Sequence, residues 1–222
     1  MKKIAVIVGG GSGSRMKTDI PKQFLLLKEK PILFYTIDSF LKAFADFQII
    51  LVLPADYIEQ GNQIIQTYFP ASDIQIIAGG ATRFHSVQNG LSCIKDESVV
   101  FVHDAVRCLV SEDLIARAYQ STVEKGSAIP VVSSKDSVRM IQNNNSKILD
   151  RSTIKLVQTP QVFLSSILLP AFKLPFQEDF TDEASVVEHY GQNIHLIEGE
   201  ETNIKITHPI DLIIAEKFIE ST

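Results

Sequence analysis

Five consecutive apolar residues, Ile4-Ala5-Val6-Ile7-Val8, run directly into Gly9-Gly10-Gly11-Ser12-Gly13. A short, unbroken, β-branched run reads as a central parallel strand buried on both faces. Such strands belong to α/β sheets covered by helices on each side. The glycines need a separate cause, because glycine loses more conformational entropy on folding than any other residue. Their bare backbone can turn tightly and converge its N–H groups on an anion. Arg15 and Lys22 follow at a reach that suits a polyphosphate better than a single small anion. Two common phosphate loops are excluded. Gly11-Ser12-Gly13 leads to Ser14, Arg15 and Met16, which is not G-x-G-x-x-G, and no Gly-Lys pair occurs in the chain. The loop is therefore neither of the dinucleotide nor of the ATPase type.

The rest of the chain repeats the opening alternation. Strand-like runs at 4–8, Gln48–Leu53, Ile74–Ile77, Val99–Val102 and Ser127–Val132 are separated by helix-like stretches at Pro31–Phe44, Tyr57–Tyr68, Arg83–Ile94 and Glu112–Lys125. This order predicts an α/β fold, a Rossmann-like mostly parallel sheet with helices on both faces. Pro31 suits a first helical turn, and Ser111 followed by Glu112 and Asp113 suits an N-cap. Downstream the pattern predicts a helix over Thr181–Tyr190 with Thr181 as its cap, strands at Ile194–Glu198 and Asn203–Lys205, and a helix over Pro209–Ile219. A length of 222 residues fits one domain, 1–222.

Residues 133–157 break the rhythm: two short polar strands flank an Asn-rich tip. An isolated two-stranded hairpin is marginal in water. The segment is therefore expected to project as a β-arm and to be stabilised in a homodimer.

Composition limits the partners. A formal charge of −5 argues against nucleic acid or an anionic membrane as the main partner. Cys93 and Cys108 have neither a disulfide framework nor metal-ligand spacing. The N-terminal apolar run is too short for a signal-peptide core or a membrane span, so a cytoplasmic protein is expected.

A second polar cluster lies in VVFVHDAVR, residues 99–107, where a buried strand ends in His103, Asp104 and Arg107. Ligands in open α/β sheets sit at the carboxyl ends of strands, where the glycine loop also lies. An aspartate there can hold Mg²⁺, directly or through water, since that cation prefers oxygen ligands and polyphosphate. A helix N-cap is the competing role for Asp104, and a hydrogen-bonded structural role is favoured for His103.

At this point the chain resembles nucleotidyltransferases that join CTP to a sugar or polyol phosphate, and most closely the 2-C-methyl-D-erythritol 4-phosphate cytidylyltransferase family. The motifs GGGSGSRM, PKQF, GGATRFHSV, VHDAVR, Asp150-Arg151, QTPQ, TDEAS and NIKIT occur in the family's order over nearly the whole chain. The resemblance implies a nucleotide-diphospho-sugar transferase-like fold and a reaction that releases pyrophosphate. It makes Arg15, Lys22 and Lys205 the catalytic cations. Gly9, Gly10, Gly11, Ser12 and Gly13 would wrap the triphosphate. Gly79-Gly80, Ala81 and Ser86 would hold the cytosine of the nucleotide, with Arg83 supporting that loop. Asp104, Arg107, Thr159 and Lys205 would hold the polyol phosphate, with Ser137 and Arg151 reaching in from the partner's arm. Mg²⁺ or another divalent cation is the implied cofactor.

Three departures stand out: Gly9-Gly10 where the family usually has Ala-Ala, Cys108 where a proline is usual, and Ser137 for an arm threonine. None removes a charge. A ribitol 5-phosphate cytidylyltransferase shares several of these patterns, and a non-catalytic nucleotide-binding module is the rival from another class. The retained Arg15, Lys22 and Asp104 speak against the module.

Overall fold

The computed structural model describes residues 1–10 and 20–220, so Arg15, Gly11, Ser12 and Gly13 lie outside the described residues. The chain begins with strand β1 (Lys2–Val8) and a small hairpin of β2 (Leu26–Leu27) and β3 (Lys30–Pro31). Helix α1 (Ile32–Ala43), β4 (Gln48–Leu53), α2 (Ile58–Tyr68), β5 (Ile74–Ala78), α3 (Arg83–Leu91), β6 (Ser98–Asp104), α4 (Glu112–Lys125) and β7 (Ser127–Ser133) follow in alternation. Then come β8 (Val138–Gln142), β9 (Asn145–Leu149), β10 (Lys155–Val157), β11 (Gln161–Leu164), α5 (Ser165–Ala171), α6 (Glu183–His189), β12 (Leu196–Glu198) and α7 (Pro209–Glu220).

The main sheet has the order β10-β7-β11-β6-β1-β4-β5, with β12 also paired to β7. Strands β6, β1, β4 and β5 are mutually parallel, whereas β11 is antiparallel to both β6 and β7. Side-chain alternation explains why β1 has no polar face. Ala5 and Ile7 enter one apolar cluster with residues of α1, α2 and α4, while Ile4, Val6 and Val8 enter another with α3, α5 and α6. Both clusters exclude water, and each fully buried aliphatic side chain contributes about 1.5–3 kcal/mol relative to exposure. A third, smaller cluster gathers Leu27, Ile32, Val106, Cys108, Ile206 and Ala215 under α7. Cys108 thus fills apolar space, and burial pushes its thiol up to about 12.

The topology positions the crevice. From β1 the chain goes to β4 and β5 on one side, then returns to place β6 on the other. The carboxyl ends of β1 and β6 therefore flank a switch point, the usual place for a ligand in an open α/β sheet. The Ala105 N–H donates to Val8 O and the Gly9 N–H to Val52 O, which holds the strand ends level as the loops depart.

Three expectations change. No strand forms at Asn203–Lys205: these residues are a loop, and the Ile206 N–H goes to Val106 O instead of entering a ladder. The cap of α6 is Asp182 and not Thr181: its carboxylate accepts from the Ser185 N–H, and the Ser185 hydroxyl closes a reciprocal capping box. Strand β11, only four residues long, was not anticipated, yet it separates β6 from β7.

The segment 133–157 is a hairpin over β8 and β9 only. Asn143 and Asn144 have φ of 48° and 62°, the left-handed pair of a two-residue type I′ turn. These two strands pair with each other and with no other described strand. Residues 155–157, by contrast, rejoin the main sheet as β10.

Candidate active site

Asp104 closes β6, and cations from three directions converge on it. Arg83 Nε lies 3.2 Å from Oδ1, Lys205 Nζ 2.9 Å from Oδ2, and Arg107 Nε 3.6 Å from Oδ2. Burial pushes the Asp104 carboxyl up, but Arg83, Lys205 and Arg107 together outweigh it and hold the group well below the usual carboxylate range. Asp104 does not cap a helix, because α4 starts only at Glu112 and is capped by Ser111.

Behind Asp104 a chain of hydrogen bonds fixes the strand end. The Asp104 N–H donates to Thr159 Oγ1 at 3.1 Å, and Thr159 Oγ1 lies 3.1 Å from His103 Nδ1. His103 Nε2 is 3.1 Å from Arg107 O, which can only accept. Nε2 must therefore carry the proton, and the Thr159 hydroxyl must donate to Nδ1. Burial pushes the His103 imidazole down to about 3, so it stays neutral and keeps this tautomer. His103 is thus a fully buried structural bridge. The hydroxyl of Thr159, a residue the sequence assigns to substrate, is already committed in both directions.

Arg83 stands at the start of α3 and reaches across to α6. Its guanidinium meets both carboxylate oxygens of Glu183, with Nη2 3.2 Å from Oε2. Glu183 is fully buried, although the sequence places it only inside the expected 181–190 helix. Its sole sequence signal is the TDEAS motif. Gln161 completes this corner, donating to Asp182 Oδ2 at 2.9 Å and accepting from the Ala184 N–H at 2.8 Å.

The nucleotide side is built from backbone. Gly9 and Gly10 leave β1, while Gly79-Gly80 leaves β5, and Ser86 on α3 lies between the two pairs. Its Oγ accepts from the Gly80 N–H at 3.1 Å and donates to Thr82 O at 2.9 Å. A Cβ on Gly79 would sit 2.9 Å from that Oγ, and one on Gly80 2.5 Å from His85 Cβ. The close approach therefore requires glycine. Gly80 and Ala81 are exposed on the rim. Gln23 Nε2 donates to Gly9 O, tying the PKQF segment to the loop's first residue. Lys22 is buried beside it, its ammonium donating to Ile206 O at 3.1 Å.

On the other side of Asp104 opens a cavity of about 440 Å³ whose lining includes Arg107, Lys205, Lys135, Gln158, Asn203 and Glu201. It brings together two of the residues expected at the polyol phosphate, Arg107 and Lys205. Ser137 and Arg151 do not line it. Ser137 is exposed, and exposed Arg151 donates to Lys135 O at 2.8 Å in its own chain. Lys135 in turn pairs with Glu201 across the cavity mouth.

No group of three or more His, Cys, Asp or Glu among the described residues is placed to hold a metal ion. Asp104 offers one carboxylate, already ringed by cations. That donor set does not fit a resident metal cage; it fits an ion that arrives with a polyphosphate and keeps most of its waters.

The model for "IspD: 2-C-methyl-D-erythritol 4-phosphate cytidylyltransferase" matches residues 3–221. The chain belongs to this family. A cytidylyltransferase of that name from Azobacteroides pseudotrichonymphae is 47% identical over 221 residues, covering 99% of each chain. One from Phocaeicola vulgatus is 44% identical, covering 99% of this chain and all of its own. The crystal structure of the Francisella tularensis enzyme superposes with a TM-score of 0.81 at 34% identity, covering 98% of this chain and 99% of the other. The IspD fold is thereby shown, and in this member the family's motifs converge: GGATRFHSV, VHDAVR, QTPQ and NIKIT meet at Asp104, and TDEAS joins them through the Arg83–Glu183 pair.

Proposed function

We propose that the chain transfers CMP from CTP to 2-C-methyl-D-erythritol 4-phosphate, giving 4-diphosphocytidyl-2-C-methyl-D-erythritol and pyrophosphate in non-mevalonate isoprenoid synthesis. The observation that carries this reading is the cation cluster at the β6 end, set between a glycine-lined crevice and the 440 Å³ cavity. An oxygen of the acceptor phosphate attacks the α-phosphorus of CTP. The bond from that phosphorus to the bridging oxygen breaks, and pyrophosphate leaves with the electron pair. Both reactants are anionic, so the protein's task is to align them and cancel their repulsion.

In this reading Gly79-Gly80, Ala81 and Ser86 hold the cytosine, with Arg83 fixing the loop to Asp104. Discrimination against other bases follows because a polar edge left unpaired in such a pocket is costly. Lys22, with Arg15 and the glycines at 9–13, is assigned to the triphosphate. Arg107 and Lys205 hold the acceptor phosphate, and Lys205 also meets the charge that grows at the α-phosphorus. A magnesium ion carried by the triphosphate would be held by Asp104, directly or through water, and would neutralise phosphate charge.

The arm is proposed to exchange with a second copy, bringing Ser137 and Arg151 to the partner's acceptor site. Exposed Met140, Ile141 and Ile148 on the arm support burial against another chain. No described helix is long and apolar enough to cross a membrane. Unpaired Cys93 and Cys108 suit a reducing compartment, and we place the enzyme in the cytoplasm.

Product identity tests the proposal. The purified chain with CTP and Mg²⁺ should convert 2-C-methyl-D-erythritol 4-phosphate to the cytidylyl diphosphate and release equal pyrophosphate. Ribitol 5-phosphate offered in parallel should yield almost none. Product from ribitol 5-phosphate alone would overturn the acceptor, and untouched CTP with both would overturn the reaction.

A further inference from the structure

Lys205 and Arg107 are two of the cations that line the acceptor cavity, yet the segment bearing Lys205 has no strand or helix to hold it. Two buried amide side chains take over that task. Gln158 Nε2 donates to Glu200 O at 2.7 Å, and its Oε1 accepts from the Glu200 N–H at 3.1 Å, so one side chain satisfies both backbone groups of one residue. Asn203 Nδ2 donates to Thr159 O at 2.9 Å, sewing the far side of the loop to the same QTPQ segment. The main-chain oxygen of Asn203 then accepts from Arg107 Nη1 at 2.8 Å. A Cβ at Gly199 would fall 2.5 Å from Gln158 Oε1, so the loop approaches this side chain as closely as a glycine backbone allows.

We infer that Gln158 and Asn203 are positioning residues for acceptor binding: they clamp the 199–205 loop so that Lys205 and Arg107 face the acceptor phosphate together. Neither residue needs to touch substrate. Both motifs, QTPQ and NIKIT, supply one half of the same clamp. The inference rests on the proposed assignment of the cavity to the acceptor. Misplacing a charged group by about 1 Å can cost about a hundredfold in rate, so a loose loop should be visible in turnover.

The test is a double-mutant cycle with steady-state kinetics on both substrates. Gln158→Met keeps the volume and removes the hydrogen bonds to Glu200 and Asn203; Asn203→Ala is the second variant should the first fail to fold. Either should lower kcat/KM for the acceptor about 10–100-fold while KM for CTP stays within about twofold. In a Lys205→Ala background the same substitution should cost clearly less than in the wild type, because the part of its effect that passes through Lys205 is already lost. A full-sized loss in that background, or equal losses toward CTP and acceptor, would overturn the clamp. Full acceptor turnover by Lys205→Ala alone would instead overturn the assignment of the cavity, and the clamp with it.

Discussion

Lys205 Nζ lies 2.9 Å from Asp104 Oδ2, joining the loop before the last helix to the end of the central strand β6. Asp104 also receives Arg83 and Arg107, while Arg83 is balanced by Glu183. Among the described residues three cations, Arg83, Arg107 and Lys205, face Asp104 and Glu183, and this cluster is net positive before any ligand arrives. An anion-binding site follows from that imbalance.

Asp104→Asn should therefore be a destabilising change out of proportion to its size. Removing one partner from a buried charged network typically costs about 3–5 kcal/mol, because the remaining charges are left uncompensated. Inorganic pyrophosphate should raise the melting temperature of this variant more than that of the wild type. An unchanged melting temperature would show that the cations do not depend on this carboxylate. For the wild type the linkage has a defined sign. The folded carboxyl is held below its unfolded value near 3.9, so its stabilisation is full above that pH and is lost as pH falls below about 4.

His103 gives a second, separate acid limb. Its folded value of about 3 lies below the unfolded value near 6.5, so the unfolded chain takes up the proton first. Stability from this group is full above about pH 6.5 and falls on acidification. Between pH 7 and 5 the wild type should lose about 2 kcal/mol more than His103→Gln, read from urea midpoints at the two values. Parallel losses would contradict the neutral, buried bridge.

Gly80→Ala should damage nucleotide binding selectively. The new methyl group would meet His85 Cβ at 2.5 Å and the His85 carbonyl carbon at 3.0 Å, and backbone cannot yield as a flexible side-chain end can. KM for CTP should rise about tenfold or more, with acceptor KM nearly unchanged. Equal changes in both would move this loop away from the base.

Much of this arrangement was legible in the sequence, for physical reasons that differ by residue. The run Ile4–Val8 is apolar at every position because both faces of β1 are covered, and that pattern survives without any partner in view. Ser111 announces its cap within four residues of sequence, and the structure finds it accepting from the Leu114 N–H. Asn203–Lys205 misled because Ile204 and Ile206 imitate strand alternation. Ile206 is in fact buried under α7, and side chains hold the loop where a ladder was expected. Glu183 was illegible because its fate depends on Arg83, a hundred positions earlier. The tie of the Thr159 hydroxyl to His103 and the Asp104 amide was illegible too, because it joins residues more than fifty positions apart.

If the arm completes the partner's site, two defective chains should repair each other. Arg151→Ala and Lys205→Ala would each be poorly active alone. Co-expressed, they should form mixed dimers in which one of the two sites carries neither substitution, recovering about a quarter of wild-type activity. Additive residual activities would place Arg151 in its own chain's site or outside both.

The most direct test of the account is the single-turnover rate of Lys205→Ala at saturating acceptor, with CTP affinity measured on the same preparation. The account predicts a fall of about 10²–10³ in rate while CTP affinity changes by less than about threefold, since this ammonium acts on charge that develops during transfer. A near-normal rate with weakened CTP binding would contradict it, leaving Lys205 a ground-state contact and the Asp104 cluster a structural one.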